Sequence, residues 1–176
     1  MRGNPKFKLN DCVKFKLDNV EYQGKVYIVD PYGTFENPSD VSYDIMVDEW
    51  GPKKEKCLFK HVTEKLVEKM KIYISLPIKI DEKTVSKRYK EALDYVKKNL
   101  PDYEPIGPVN INSFDDNGIK TKREHDYAWY MGEDVKILLR CDAILMCDGW
   151  EKSEGCHCEY EVAKVYKKLI FYKFNF

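Results

Sequence analysis

The sequence of 176 residues predicts a mixed chain in which a small all-β domain precedes an α/β domain. In residues 1–68, apolar and polar residues alternate with a period of two, which is typical of half-buried strands. From residue 71 onward, short apolar runs alternate with segments of helical periodicity, which predicts βαβ units and a mostly parallel sheet with helices on both faces. The period changes within residues 62–70, so we place the domain boundary there and assign residues 70–176 to the α/β domain.

The first domain is predicted to be a small closed barrel of the SH3-like kind. Several short strands follow one another within 1–68, and closure of such a sheet removes its exposed edges. Gly24 and segments rich in Gly, Pro, Asn and Ser separate the strands. The strands are predicted at residues 12–17, 25–30, 41–48 and 57–62, with turns at 31–33, 37–40 and 50–52.

The α/β domain is predicted from apolar runs that alternate with helical stripes. The first run, at residues 71–78, precedes an amphipathic helix that ends near Pro101, and a loop rich in Pro, Gly, Asn and Asp follows over 101–123. The remaining elements are a helix around 131–139, a strand at 142–148, a helix whose inward stripe is Cys158, Val162, Val165, Tyr166 and Leu169, and a strand at 169–174.

Charge and cysteine content exclude some functional classes. The 30 basic and 30 acidic residues cancel, so the composition predicts neither a nucleic-acid partner nor attraction to an anionic membrane. No apolar run is long enough to span a membrane, and the first residues lack the apolar core of a secretory signal. The six cysteines are therefore expected to be reduced thiols in a cytoplasmic protein.

The turn after the strand at 142–148 is the predicted location of a functional site, because ligands in open α/β sheets bind outside the carboxyl ends of the strands. Asp148 stands at that end, and Glu159 stands in the first turn of the next helix, which opens at Gly155. Helical spacing turns Glu159 toward the sheet or a cleft and Glu161 toward water. Glu159 is thus a candidate for chemistry, although a carboxylate in a first turn also complements the helix dipole.

Other residues around this turn have two interpretations each. Ser153 and Gly155 at the mouth of the helix form a candidate anion site, or Ser153 is simply the helix N-cap. Trp150 either walls a pocket and stacks on a base, or packs in the loop. Asp134 lies eight residues before Asp142, and it is either a second candidate acid or a residue that complements a helix dipole. Asp142 is expected to cap the turn before its strand.

The run Cys156-His157-Cys158 could be mistaken for a metal site. Within one helical turn its side chains point around the helix axis, and no second Cys or His pair completes a tetrahedral set. The sequence also lacks the glycine-rich phosphate loops and the nucleophile-elbow motif. We therefore predict no metal and no cofactor.

Three segments of the chain resemble the nucleoside 2-deoxyribosyltransferase superfamily, in particular its small bacterial and phage branch and the related deoxynucleoside 5′-monophosphate N-glycosidases. The segments are KIYISLPI, EDVKILLRCDAILM and DGWEKSEGCHCEYEVA, and the resemblance covers about residues 71–173. It rests on an Asp eight residues before the Asp that opens the strand, and on a Ser-x-Gly before the catalytic Glu with an Ala four residues later. Here these residues are Asp134, Asp142, Ser153, Gly155, Glu159 and Ala163.

The resemblance implies a flavodoxin-like fold and a role for each matching residue. Glu159 would attack C1′ of a (deoxy)ribosyl group, Asp148 would bind the sugar or assist protonation of the leaving base, and Asp134 would orient the site. Ser153 would hold a 5′-hydroxyl or phosphate. The glycosidase branch has a Gly/Arg-rich phosphate loop after the first strand, whereas this chain has SLPIKID, in which only Ser75 matches in kind. The resemblance also implies a homodimer with a nucleoside or nucleotide as the small-molecule partner.

Three functional hypotheses follow. The first is an N-glycosidase or deoxyribosyltransferase that acts on the sugar–base bond through a carboxylate nucleophile. The second is a non-catalytic nucleotide-binding module whose barrel contacts a partner. The third is a barrel that reads nucleic acid or peptide beside an α/β scaffold, and the balance of 12 basic against 12 acidic residues in 1–70 weighs against nucleic acid.

Overall fold

The computed structural model describes residues 3–32, 40–78, 82–109 and 126–173. The chain divides into two compact units, Met1–Met70 and Lys71–Phe176, and each is described by itself. Within the described residues, no helix is long and apolar enough to cross a membrane.

The first unit is an antiparallel arrangement of strands. The strands are β1 (Cys12–Leu17), β2 (Val20–Asp30), β3 (Ser42–Trp50), β4 (Glu55–Thr63) and, after a 3-10 turn at Glu64–Leu66, the first part of β5 (Val67–Ser75). They are hydrogen-bonded in the order β4-β3-β2-β1-β5. The buried core contains Val13, Phe15, Val26, Tyr43, Ile45 and neighbouring apolar residues. Closure of this row into an SH3-like barrel remains a prediction.

Two local features explain where β2 begins. The turn that joins β1 to β2 is formed by Asp18 and Asn19, whose φ angles of 47° and 63° are the left-handed values that a two-residue hairpin favours. Gly24 does not end a turn, as the sequence predicted, but lies inside β2 opposite Val13. A Cβ there would stand 2.4 Å from the carbonyl oxygen of Met46, so glycine lets β3 approach. The strand therefore starts five residues before the predicted segment 25–30.

The second unit is an α/β arrangement that continues from β5. Its elements are α1 (Glu82–Asn99), β6 (Tyr103–Ile106), α2 (Tyr127–Arg140), β7 (Ala143–Cys147), α3 (Glu154–Val165) and β8 (Leu169–Lys173). The strands lie in the order β6-β5-β7-β8, and both β5–β7 and β7–β8 are parallel. Asp142 ties the start of β7 to the middle of β5, because its carboxylate accepts from Lys71 N at 2.7 Å and its own N–H donates to Lys71 O at 2.8 Å.

The strand order defines a topological switch point. After β5 the chain moves to one side to form β6, and it then crosses to the other side to form β7 and β8. The connections therefore diverge from the carboxyl ends of β5 and β7. This is the place where open α/β sheets bind ligands.

Two predictions for this unit needed correction. The segment 101–123 is not all loop, because Tyr103–Ile106 forms β6 and Tyr103 is buried against Phe171. Residues 37–39 of a predicted turn, 79–81 of SLPIKID and 110–123 of the predicted loop lie outside the described part. The division between the two units, after Met70, falls at the end of the seam predicted at 62–70. The predicted inward stripe of the last helix was wrong, because Cys158 is exposed and Val165, Tyr166 and Leu169 are more than half exposed.

Candidate active site

The second turn of α3 brings Glu159 into the interior, and not the first turn as the sequence predicted, because the helix begins at Glu154. Ser153 is the N-cap, and its hydroxyl accepts from Cys156 N at 3.4 Å. The face that the helix buries consists of Cys156, Glu159 and Ala163, a spacing of three and four residues that follows one side of a helix. Glu159 is only 5% exposed, as its predicted inward orientation requires, and it is not a surface residue that merely complements the dipole.

Two hydroxyl groups from β5 hold the Glu159 carboxylate. Tyr73 Oη donates to Oε1 at 2.6 Å, and Ser75 Oγ donates to Oε2 at 2.5 Å. The two donors are adjacent on one face of β5, since alternate residues of a strand point the same way. All three side chains are buried, so each carboxylate oxygen has a fixed donor.

Burial dominates the protonation of Glu159. Loss of water raises the pKa of its carboxyl group to about 7, although the hydrogen bonds from Ser75 and Tyr73 act to lower it. The pKa of the Tyr73 hydroxyl is also raised, first by burial and then by the charge of Glu159, so Tyr73 remains a proton-bearing donor. The site therefore holds a carboxyl group that titrates near neutral pH.

Asp134 is a second buried carboxyl group close to the first. It lies in the middle of α2 and is 3% exposed, which excludes the predicted alternative of a residue at the helix end. Its Oδ1 accepts from Val109 N at 2.7 Å, and burial raises the pKa of Asp134 to about 6. The negative charge of Asp134 in turn raises the pKa values of Glu159 and Tyr73. The structure thus brings Asp134, Glu159 and Ser75 together, and their roles in catalysis or binding stay predictions.

Asp148 occupies the predicted position directly after β7 and is half-buried. Its backbone carbonyl accepts from the guanidinium of Arg88. Asp148 therefore lies in the turn between β7 and α3, five residues before the N-cap Ser153.

Trp150 and Gly155 have packing surroundings. The Trp150 ring lies against His157 and Tyr160, with centroid distances of 5.3 Å and 4.8 Å, on a flank of α3 different from the face that carries Glu159. A Cβ at Gly155 would stand 3.2 Å from Tyr127 Oη, so this glycine allows α2 to approach α3. The alternative of a packing role is the one that the structure favours for Trp150.

The run from Cys156 to Cys158 is spread around α3. Cys156 is buried, the His157 ring hydrogen-bonds the carbonyl oxygen of Glu151 at 2.7 Å, and Cys158 is exposed. No group of His, Cys, Asp and Glu side chains suited to a metal ion occurs in the part of the chain that the structure describes. None of the six cysteines, all of which lie in the described residues, forms a disulfide.

Tyr73 and Arg88 are the site residues that sequence reasoning missed. Tyr73 lies two residues before Ser75 in β5, so the period of a strand places both on one face. That spacing shows that Tyr73 shares a face with Ser75, but it does not show which face of β5 meets Glu159. Arg88 lies on α1, and local sequence gives no sign that its side chain reaches Asp148.

The chain belongs to a family described as a domain of unknown function (DUF4406), whose profile matches residues 70–172. A solved structure of a 2-desoxiribosyltransferase from Leishmania mexicana is similar over 58% of this chain, with 19% sequence identity and a TM-score of 0.42. The similarity covers 63% of that transferase, which is less than two thirds of its length. No protein of curated function matches the sequence.

Proposed function

We propose that this chain cleaves or transfers the sugar–base bond of a nucleoside or nucleotide, with Glu159 as the nucleophile. One observation carries the proposal: a buried carboxylate at the switch point between β5 and β7 has both oxygens held by the hydroxyl groups of Tyr73 and Ser75. The match of Asp134, Ser153 and Glu159 to the deoxyribosyltransferase pattern supports the same conclusion.

The proposed reaction has two steps. An oxygen of ionised Glu159 bonds to C1′ of the sugar while the C1′–N bond breaks, and its electron pair stays on the base nitrogen. Asp148 binds the sugar or assists protonation of the departing base, and Asp134 orients the site through its charge. Water or a second base then attacks C1′, which breaks the bond to Glu159 and restores its carboxylate, and the proton that the attacking group loses returns to the acid that protonated the departing base. Water as the acceptor gives hydrolysis, and a base gives transfer.

The two hydroxyl donors position the nucleophile. Each hydrogen bond fixes one carboxylate oxygen and stabilises the ionised form against burial. Because Glu159 must be ionised to attack, kcat/KM is expected to rise with pH through its pKa of about 7.

Tyr73→Phe tests this positioning. Loss of the hydroxyl removes a bond that lowers the pKa of Glu159, so the acid limb of the profile of kcat/KM against pH should move to higher pH. A lost hydrogen bond to a charged group corresponds to a fall in kcat/KM of about 10-fold to 100-fold. Tyr43→Phe is the matched control, since Tyr43 is a buried tyrosine that donates to Glu64 in the first unit. An acid limb that stays in place in Tyr73→Phe would contradict the assigned role.

Asp134→Asn tests the electrostatic coupling. Asparagine keeps an oxygen that can accept from Val109 N but removes the charge that raises the pKa of Glu159. The acid limb should therefore move to lower pH. Glu133→Gln is the control, because it removes an equal charge from the neighbouring position. Glu133 raises the pKa of Asp134 but is not among the groups that shift the pKa of Glu159. This variant should therefore leave the acid limb of the profile where it is. The coupling is disproved if the two variants give the same profile.

The low exposure of Glu159 favours one alternative function, a nucleotide-binding module without catalysis. In that case the carboxylate would remain bonded to Tyr73 and Ser75, and the cleft would bind a ligand without turnover. Ribo- and deoxyribonucleosides and their 5′-monophosphates, assayed by chromatography for released base, separate the two functions. Release supports the glycosyl-transfer proposal, whereas saturable binding without release from any compound supports the module.

The wider organisation is part of the same proposal. Residues 1–68 would form an SH3-like barrel and residues 70–176 a flavodoxin-like domain of the deoxyribosyltransferase kind, related to the bacterial and phage branch. The protein would be a cytoplasmic homodimer that needs no metal or cofactor.

A further inference from the structure

Arg88 extends from α1 to the loop that follows β7. Its guanidinium Nη2 donates to the backbone carbonyl of Asp148. The next residue is Gly149, with a φ of +78°, and a Cβ placed there would stand 3.8 Å from Nη2 and 3.9 Å from Pro77 Cγ. The positive φ favours glycine at this position, and the contact distances show that the turn after β5 meets the turn after β7 here.

Among the residues that the structure describes, no carboxylate forms an ion pair with the guanidinium of Arg88. A guanidinium carries five N–H donors, and the one hydrogen bond described for Arg88 is to a neutral carbonyl. Arg88 is only partly exposed, and removing an unpaired charge from water is unfavourable. An arginine in this state is suited to an anionic ligand.

The same arginine lies beside the candidate active site, at the carboxyl end of β7. The carbonyl that it binds belongs to Asp148, directly after Cys147, the last residue of β7. Five residues later Ser153 caps α3, the helix that carries Glu159. Arg88 is therefore at the turn that joins β7 to the N-cap of α3.

The geometry points to Arg88 as the residue that binds the phosphate of a (deoxy)nucleoside 5′-monophosphate and so selects it over the unphosphorylated nucleoside. The planar guanidinium matches phosphate oxygens with two parallel hydrogen bonds, which an ammonium group cannot do. Arg88 would supply this charge from α1, although the segment after β5 has no arginine. The assignment rests on the proposed function for its reaction, but the binding it predicts can be measured without turnover.

The test compares Arg88→Gln with the wild-type chain on matched pairs of nucleoside and 5′-monophosphate. Arg88→Gln should lower kcat/KM for the monophosphate by about 10-fold to 100-fold and change the nucleoside value by less than about twofold. Arg88→Lys should restore part of the loss. Lys87→Gln, an exposed cation beside it on α1, is the control for general loss of charge and should have no effect. An equal loss for both substrates, or no loss, would overturn the assignment.

Calorimetric titration separates this inference from the proposed reaction. With wild-type and Arg88→Gln chains, the ligands are a nucleoside, its 5′-monophosphate and inorganic phosphate. Arg88-dependent binding of the monophosphate supports the assignment even if no base is ever released, in which case only the proposed reaction fails. Arg88-dependent binding of inorganic phosphate, with equal affinities for nucleoside and monophosphate, overturns the assignment even if base is released.

Discussion

Glu159→Gln should abolish release of base, with kcat/KM falling by about 10⁴-fold or more, while the chain remains folded. Glutamine has the same shape as glutamate and can still bond to the hydroxyl groups of Tyr73 and Ser75, but its neutral amide cannot capture C1′. Release is measured by chromatography, and folding by circular dichroism.

Glu161→Gln is the control for this result. Glu161 lies on the same helix, but its carboxylate is exposed and pairs with Lys164 at 3.0 Å. Its replacement should leave activity unchanged. If Glu159→Gln retained activity comparable to Glu161→Gln, Glu159 would not be the nucleophile.

The second large effect concerns stability. The pKa of Glu159 in the folded chain, about 7, is above the ordinary 4.5, so the folded state binds this proton more tightly than the unfolded state. The resulting stabilisation is fully present below about pH 4.5 and is lost as pH rises through about 7. For a group this deeply buried, the loss is on the order of 3 kcal/mol.

Urea unfolding at about pH 5 and about pH 8 measures this loss. Glu159→Gln cannot ionise, so its free energy of unfolding should increase relative to the wild-type chain as pH rises over this interval. The comparison between the two proteins cancels the other titrating groups to first order. A difference that does not change with pH would mean that Glu159 has an ordinary, well-hydrated carboxyl group.

The stability cost of burying Glu159 and the proposed activity have the same origin. Replacing a buried carboxylate by an uncharged side chain removes the free-energy cost of burying its charge. Selection for stability alone would therefore not be expected to retain an ionisable residue at position 159. The coupled carboxyl group of Asp134 increases this cost, because it raises the pKa of Glu159 further. A costly group at a topological switch point indicates a functional site.

Local periodicity predicted much of the fold. The alternation around Phe15 and Ile45 marks β1 and β3, which carry the buried core of the first unit. The mixed α/β character was likewise evident from the alternation of strands and helices after residue 71. By contrast, β6 lies among turn residues, and its pairing with β5 is a non-local contact that no local pattern encodes.

The site was predictable only where one element determines the side-chain direction. The inward direction of Glu159 was predictable because helical spacing fixes its orientation, although the residue lies in the second turn of α3 and not in the first. The apolar stripe predicted beyond it was wrong, because Val165 and Tyr166 are exposed. Tyr73 was missed because β5 is buried on both faces, so its pattern does not show which residue meets a carboxylate. Arg88 depends on α1 and β7 coming together, which is a property of the tertiary structure.

Mass spectrometry of the chain after acid quenching during turnover tests the role of Glu159 most directly. A covalent glycosyl-enzyme predicts a sugar adduct on the peptide that contains Glu159, and no adduct in Glu159→Gln. Release of base without any adduct on that peptide, or an adduct on a different residue, would contradict the assignment of Glu159 as the nucleophile.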